Sequence, residues 1–180
     1  TPGTYTVTMS VTDGVNTATK TGTIVVQDPD VAFTGAATIC LSTSGNFTGA
    51  PSGAQTFTVS SDMSAHINTY KSNNTRILFC KADTWTYSTQ QTLSGLTNFR
   101  IDGYGTGVAR AFGSGTLIPV NVGVLNGAMI LTTTGNTDLF FGSMKITVAG
   151  SYYTQGAAKS TSMLSVNNTI SGITVCKMEI

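Results

Sequence analysis

The 180-residue sequence predicts an almost entirely β protein, and three observations carry that expectation. Threonine is the commonest side chain and only 9% of residues are charged, while hydrophobic residues reach 40%. β-Branched residues suit a pleated surface and disfavour helices. Residues 4–12 (TYTVTMSVT) alternate strictly, with Tyr5, Val7, Met9 and Val11 on one face. Beyond Asn74, short apolar runs recur between stretches of Gly, Asn, Ser and Thr that leave no room for helices of any length.

The alternation over residues 4–12 is that of a half-buried antiparallel strand. Asp13-Gly14 is a turn signal, and a second strand follows from Thr17 to Val26. Two strands do not make a stable module alone. The segment GTYTVTMSVTDGVNTATKTGTIVV resembles the last two strands of a PKD domain, an immunoglobulin-like sandwich. Gly3, Thr4, Tyr5, Val7 and the Val11-Thr12-Asp13-Gly14 turn carry the resemblance. It implies that residues 1–27 are a partial β-sandwich segment whose earlier strands lie upstream.

Gln27-Asp28-Pro29-Asp30 breaks the pattern, because proline cannot donate to a ladder and restricts the residue before it. Residues 28–34 are therefore read as a linker and 35–180 as a second unit. Short strands are expected at Ala37–Leu41 and Gln55–Val59, separated by the Gly/Ser/Pro-rich SGNFTGAPSGA. Ser61 to Lys71 is the one convincing helix, capped by Ser61 or Asp62, with Met63, Ile67 and Tyr70 at helical spacing.

The later apolar runs are Ile77–Phe79, Phe99–Ile101, Leu117–Val120, Met129–Leu131, Leu139–Phe141, Ile146–Val148, Met163-Leu164 and Ile173–Val175. Strands without intervening helices fit an antiparallel sandwich, but irregular Asn/Gly-rich turns favour a parallel solenoid. Asn74-Thr75-Arg76-Ile77-Leu78-Phe79-Cys80-Lys81-Ala82-Asp83-Thr84-Trp85 resembles the first-rung motif of pectate-lyase-like right-handed parallel β-helices. Ala82 stands where that family prefers Gly. Phe99 to Gly107 is similar to its second rung, and Asn136–Leu139, Met144–Val148 and Ser171–Cys176 to later ones.

The resemblance implies an all-β right-handed parallel β-helix (solenoid) over 35–180, with a short N-terminal capping helix. Its core would hold Ile77, Phe79, Ile101, Ile130, Ile146, Val148, Ile173 and Val175. Met63, Ile67 and Tyr70 would cover the rung at Ile77–Phe79, since an open end exposes apolar core.

Several classes of function are disfavoured by composition. The net charge is +1 and no two Lys or Arg are adjacent, so no basic stripe for nucleic acid exists. No apolar stretch approaches the ~20 residues of a membrane span. The first ten residues lack the features of a signal peptide, and the chain reads as part of something longer. Cys40, Cys80 and Cys176 have no metal-ligand spacing. They read as small buried hydrophobes, with a Cys40–Cys80 disulfide left open.

Cleavage of a polysaccharide by such a fold needs a basic residue with Ca²⁺, or two carboxylates. Asp13, Asp28, Asp30, Asp62, Asp83, Asp102, Asp138 and Glu179 share no short motif, so no catalytic residue is assigned. Lone His66 reads as an ordinary helix position, and Lys145 and Lys177 as solvated. Asp28 and Asp30 are weak Ca²⁺ candidates, being only two carboxylates for the six to eight oxygens Ca²⁺ takes. No other cofactor is expected. The sequons at Asn46, Asn73 and Asn167 are expected by chance in a Thr/Asn-rich chain.

Trp85, Tyr87, Tyr104, Tyr152 and Tyr153 lie in polar, turn-like contexts, and Trp85, Tyr104, Tyr152 and Tyr153 are the candidate glycan-stacking residues. The leading expectation is a piece of an extracellular, cell-surface or virion protein that engages polysaccharide without cleaving it. An N-terminal part of a polysaccharide lyase or glycoside hydrolase is the alternative; a structural stalk, fibre or tailspike segment, forming oligomers or filaments, is another.

Overall fold

The computed structural model describes residues 2–105, 117–122, 128–148, 164–166 and 171–179. At the N-terminus β1 (Gly3–Thr12) and β2 (Thr17–Val26) form an antiparallel hairpin, in register from Gly3↔Val26 to Thr12↔Thr17. Asp13 builds the turn: its Oδ1 accepts from the Val15 and Asn16 amides at 2.9 and 2.7 Å. Those amides, Asn16 first, hold its carboxyl below the usual range. The face expected to be half-buried is open, from 44% exposure at Tyr5 to 68% at Met9. The reason is that β1 and β2 pair only with each other among the described residues.

The expected linker contains a one-turn helix, α1 (Pro29–Ala32), capped by Asp28. Pro29 opens it because the missing N–H has no intrahelical partner at that position. Phe33 follows and is buried. The chain then enters β3 (Thr38–Ser42), β4 (Gln55–Thr58), α2 (Met63–Tyr70) and β5 (Arg76–Cys80). Both β4 and β5 pair with β3 in parallel, so α2 lies on the crossover between strands flanking β3.

Among the described residues eight further strands follow: β6 (Trp85–Tyr87), β7 (Gln91–Leu93), β8 (Thr97–Tyr104), β9 (Ile118–Val122), β10 (Ile130–Thr132), β11 (Thr137–Val148), β12 (Leu164–Val166) and β13 (Ser171–Glu179). Among the described residues every pairing from β3 onward is parallel. The larger sheet runs β4-β3-β5-β8-β11, with β13 also on β11, and continues through β9 to β6. It curls into a half-barrel because β11 bends at Ser143, whose φ is +57°. The half of β11 before the bend pairs with β8, and the half after it with β9. The apolar runs at 139–141 and 146–148 are thus one bent strand. A smaller sheet stacks β7, β10 and β12.

Register fixes the core. Ile39, Ile77, Ile101, Phe141 and Val175 oppose one another across five successive strands, and Phe99, Leu139 and Ile173 form a second inward row. Ile77, Phe79, Ile101, Ile130 and Ile146 are buried as expected, and Ile173 is partly buried. Val175 departs from expectation at 44% exposure, because β13 has only β11 beside it among the described residues. The side chain of Val148 lies outside the described set.

Asp62 caps α2 through the Ser64 and Ala65 amides. Met63 and Ile67 are buried in the cluster that holds Ile77 and Phe79. The helix itself lies against β6 and β7. Tyr70 is half-buried and stacks on Phe57 of β4, 5.5 Å between ring centres.

The corner preceding the sheet repeats one backbone device. Asn74, Asn98 and Asp138 have φ of +54°, +50° and +53°, and Gly172 has +75°. The strand registers put these four residues at equivalent positions on neighbouring strands. Asn98 Nδ2 donates to Asn74 Oδ1 at 3.2 Å, and the Asn74 amide donates to the Thr97 carbonyl at 2.9 Å. Left-handed backbone costs most side chains about 1–2 kcal/mol, least for Gly and Asn. We therefore expect Asn98→Ala to lower unfolding free energy by about 1–2 kcal/mol and Asn98→Gly to cost clearly less. Denaturant titration of the two variants reads the difference.

Candidate functional site

The aromatic residues singled out in the sequence fall on different sides of the fold. Alternation along β6 points Trp85 and Tyr87 inward. Trp85 is fully buried, edge-on to Phe79 at 4.8 Å, and its Nε1 donates to the Cys80 carbonyl at 3.0 Å. Tyr87 donates to the Met129 carbonyl at 3.0 Å; burial, then the charge of Asp62, pushes its phenol well above the ordinary range. Tyr104 is buried on the outer side of β8, donating to the carbonyls of Leu41 and Asn46. Burial, then the neighbouring Cys80 and Cys40, raises its phenol likewise. Neither Trp85 nor Tyr104 offers an open ring face to a sugar, because packing covers both. Tyr152 and Tyr153 lie outside the described residues.

Other candidates have structural partners. Asp28 Oδ1 accepts from the Asp30 amide at 2.9 Å, and Asp30 forms an ion pair with Arg76 at 2.7 Å, so both weak Ca²⁺ candidates already serve α1. Among the described residues no group of three or more His, Cys, Asp or Glu could hold a metal ion. His66 Nε2 lies 2.9 Å from the Ser60 carbonyl. Lys145 is exposed on β11. Cys40 and Cys80 are buried on adjacent strands, packed with Leu78 and Tyr104 beneath Phe47, Ala50 and Ala54.

Asp83 ties the β5–β6 corner to the end of β3. Its carboxylate accepts from Ser42 Oγ, the Thr43 amide and Ser44 Oγ, each at 2.7 Å. Burial alone would raise its pKa, but these donors outweigh it and hold the carboxyl below the usual range. Asp62 follows the same logic with Ser64, Ser88 and Ala65 as donors. Both carboxyls are therefore ionised at neutral pH and fully engaged as acceptors, which does not suit a general acid.

On the outer face of β8 and β11, Arg100, Asp102 and Phe140 are half-buried among the described residues. Thr38, Arg76, Arg100, Phe140 and Thr174 form one outward row across five strands. Two guanidinium groups therefore sit in register on neighbouring strands, an arrangement that is unfavourable uncompensated. Asp30 pairs with Arg76, and Thr38 Oγ1 accepts from it. The Phe33 ring lies under both cations, 5.7 Å from Arg76 Cζ and 5.2 Å from Arg100 Cζ. Arg100 also lies over Phe140 at 5.5 Å, and its buried Nε has no hydrogen-bond partner among the described residues.

Gly142, also outward on β11, completes this patch. A Cβ there would stand 2.7 Å from the Phe140 ring and 3.4 Å from Asp102 Oδ1, so the ring and the carboxylate converge over the bare backbone. Arg100, Asp102 and Phe140 were not singled out as site residues in the sequence. The available signal was Leu139-Phe140-Phe141: with 139 and 141 inward, alternation leaves Phe140 facing out.

Comparison of the chain with family models, with curated proteins and with solved structures gives no match.

Asp83→Asn is expected to destabilise the protein by about 1.5–3 kcal/mol at pH 7, the range for hydrogen bonds to a charged group. A depressed folded pKa contributes stability above the unfolded value of about 4, and loses it as pH falls through the folded one. The gap between wild type and variant should thus narrow below pH ~4, which denaturant titrations across pH 2–7 measure.

Proposed function

We propose that this chain belongs to an extracellular right-handed parallel β-helix protein that engages polysaccharide and does not cleave it alone. The observation that carries the fold part is the unbroken parallel register from β3 to β13, with left-handed corner residues repeating at equivalent positions. Each turn of chain then adds one strand to each stacked face, the arrangement of a solenoid. The exposed hairpin face of Tyr5, Val7, Met9, Val11, Ile24 and Val26 supports reading β1–β2 as the closing strands of a PKD-like sandwich. A lone hairpin with such a face is marginal in water.

The non-catalytic part rests on the acids. Asp13, Asp28, Asp30, Asp62 and Asp83 each serve a turn, a cap, an ion pair or a strand tie. The engaged partner is read from composition, in which threonine is the commonest side chain and only 9% of residues are charged. Incubation with pectate, alginate and neutral glycans, with and without Ca²⁺, is expected to give no new reducing or unsaturated ends. Retention on at least one immobilised glycan is expected in the same buffers. Turnover of any of these, or no retention on any, contradicts the reading.

A further inference from the structure

We propose that Phe140, Asp102 and Arg100 form a binding site for a neutral pyranose residue on the outer face of β8 and β11. The inference rests on the polysaccharide reading above and deepens it by naming the site and the class of sugar. Three observations on these side chains converge. Phe140 is a half-buried aromatic on an outward strand position, where core packing does not require it. The backbone beneath it is glycine, and a Cβ at Gly142 would collide with the ring. Glycine inside a strand marks a place where something must approach the backbone closely. Here that is the Phe140 ring, which lies against Gly142, has Arg100 Cζ 5.5 Å from its centre and stays half-buried on the outer face.

Polar groups of both kinds flank the platform. Arg100 supplies donors only, and among the described residues its guanidinium lies against the Phe33 and Phe140 rings and forms no ion pair with a carboxylate. Asp102 supplies acceptors; its Oδ1 takes the Gly103 amide at 2.7 Å and also borders the space above Gly142. A pyranose ring has an apolar C–H face for stacking and hydroxyls that donate and accept at its edge. The trio matches those needs one for one. Phe33 bounds the patch on one side, and Phe47, Ala50 and Ala54 cover the neighbouring Cys40 and Leu78.

Charge decides between neutral and acidic sugars. Arg100 and Asp102 are of opposite sign on the same face of β8, and the neighbouring Arg76 is matched by Asp30. Among these four groups the charges balance, so they offer no excess positive charge to draw in a uronate, and Asp102 opposes any carboxylate that Arg100 attracts. The site therefore selects neutral hexopyranose polymers.

The test is affinity measurement of the whole chain on neutral glucan, mannan and galactan, beside polygalacturonate and alginate, in 0.15 M salt. Wild type should bind at least one neutral polymer more tightly than either uronate polymer. Phe140→Ala and Asp102→Asn should each weaken that binding tenfold or more, while Thr174→Ala, at the exposed end of the row, should not. Asp102→Asn preserves shape, and a melting curve matching wild type keeps its result interpretable if Phe140→Ala misfolds. Neutral-glycan binding unchanged in both variants overturns the site and leaves the polysaccharide reading standing. Tighter binding to uronates overturns the neutral class. Binding to none of the polymers overturns site and reading together.

Discussion

Five inward side chains, Ile39, Ile77, Ile101, Phe141 and Val175, lie in one line across neighbouring parallel strands. Everything else in the larger sheet depends on that alignment. A one-residue slip would turn the inward row outward and bring the Thr38–Arg76–Arg100 row into the core. Burying two guanidinium groups there would be prohibitive without partners. The apolar row and the charged row thus enforce the same register from opposite faces. The corner residues Asn74, Asn98, Asp138 and Gly172 support it, since each allows the left-handed turn with which a new strand begins.

Much of this was legible because the repeating features are local. Each apolar run from Ile77–Phe79 to Ile173–Val175 lies on a strand or at its edge among the described residues, and the helix differs only at its ends. Asn and Gly between the runs signalled corners for a physical reason, the tolerance of positive φ. The strands Trp85–Tyr87 and Gln91–Leu93 were not legible: they are three residues long and lack apolar runs. Their conformation comes from pairing with β9 and β10. The helix within residues 28–34 was hidden too, because proline reads as a breaker unless the aspartate cap before it is weighed.

The candidate site was harder to read for the opposite reason. Polar surroundings in sequence made Trp85 and Tyr104 look like surface rings, yet alternation turns Trp85 inward and residues 43–54 cover the surroundings of Tyr104. Phe140, lodged between two apolar neighbours, looked like core and is the ring that faces out. Chemistry-bearing positions in such a sheet are set by strand parity and by what lies on top, and only parity is written locally. Arg100 and Asp102 acquire meaning only from Phe33, Phe140 and Gly142, which come from three separate segments.

Parallel stacking in this register is the claim from which both the fold and the outer patch follow. Side-chain nuclear Overhauser contacts test it most directly. The account predicts cross-peaks linking Ile77 with Ile101, Ile101 with Phe141, and Leu139 with both Phe99 and Ile173. Contacts linking the two ends of these strands in reversed order, as antiparallel pairing through 99–175 would give, would contradict it.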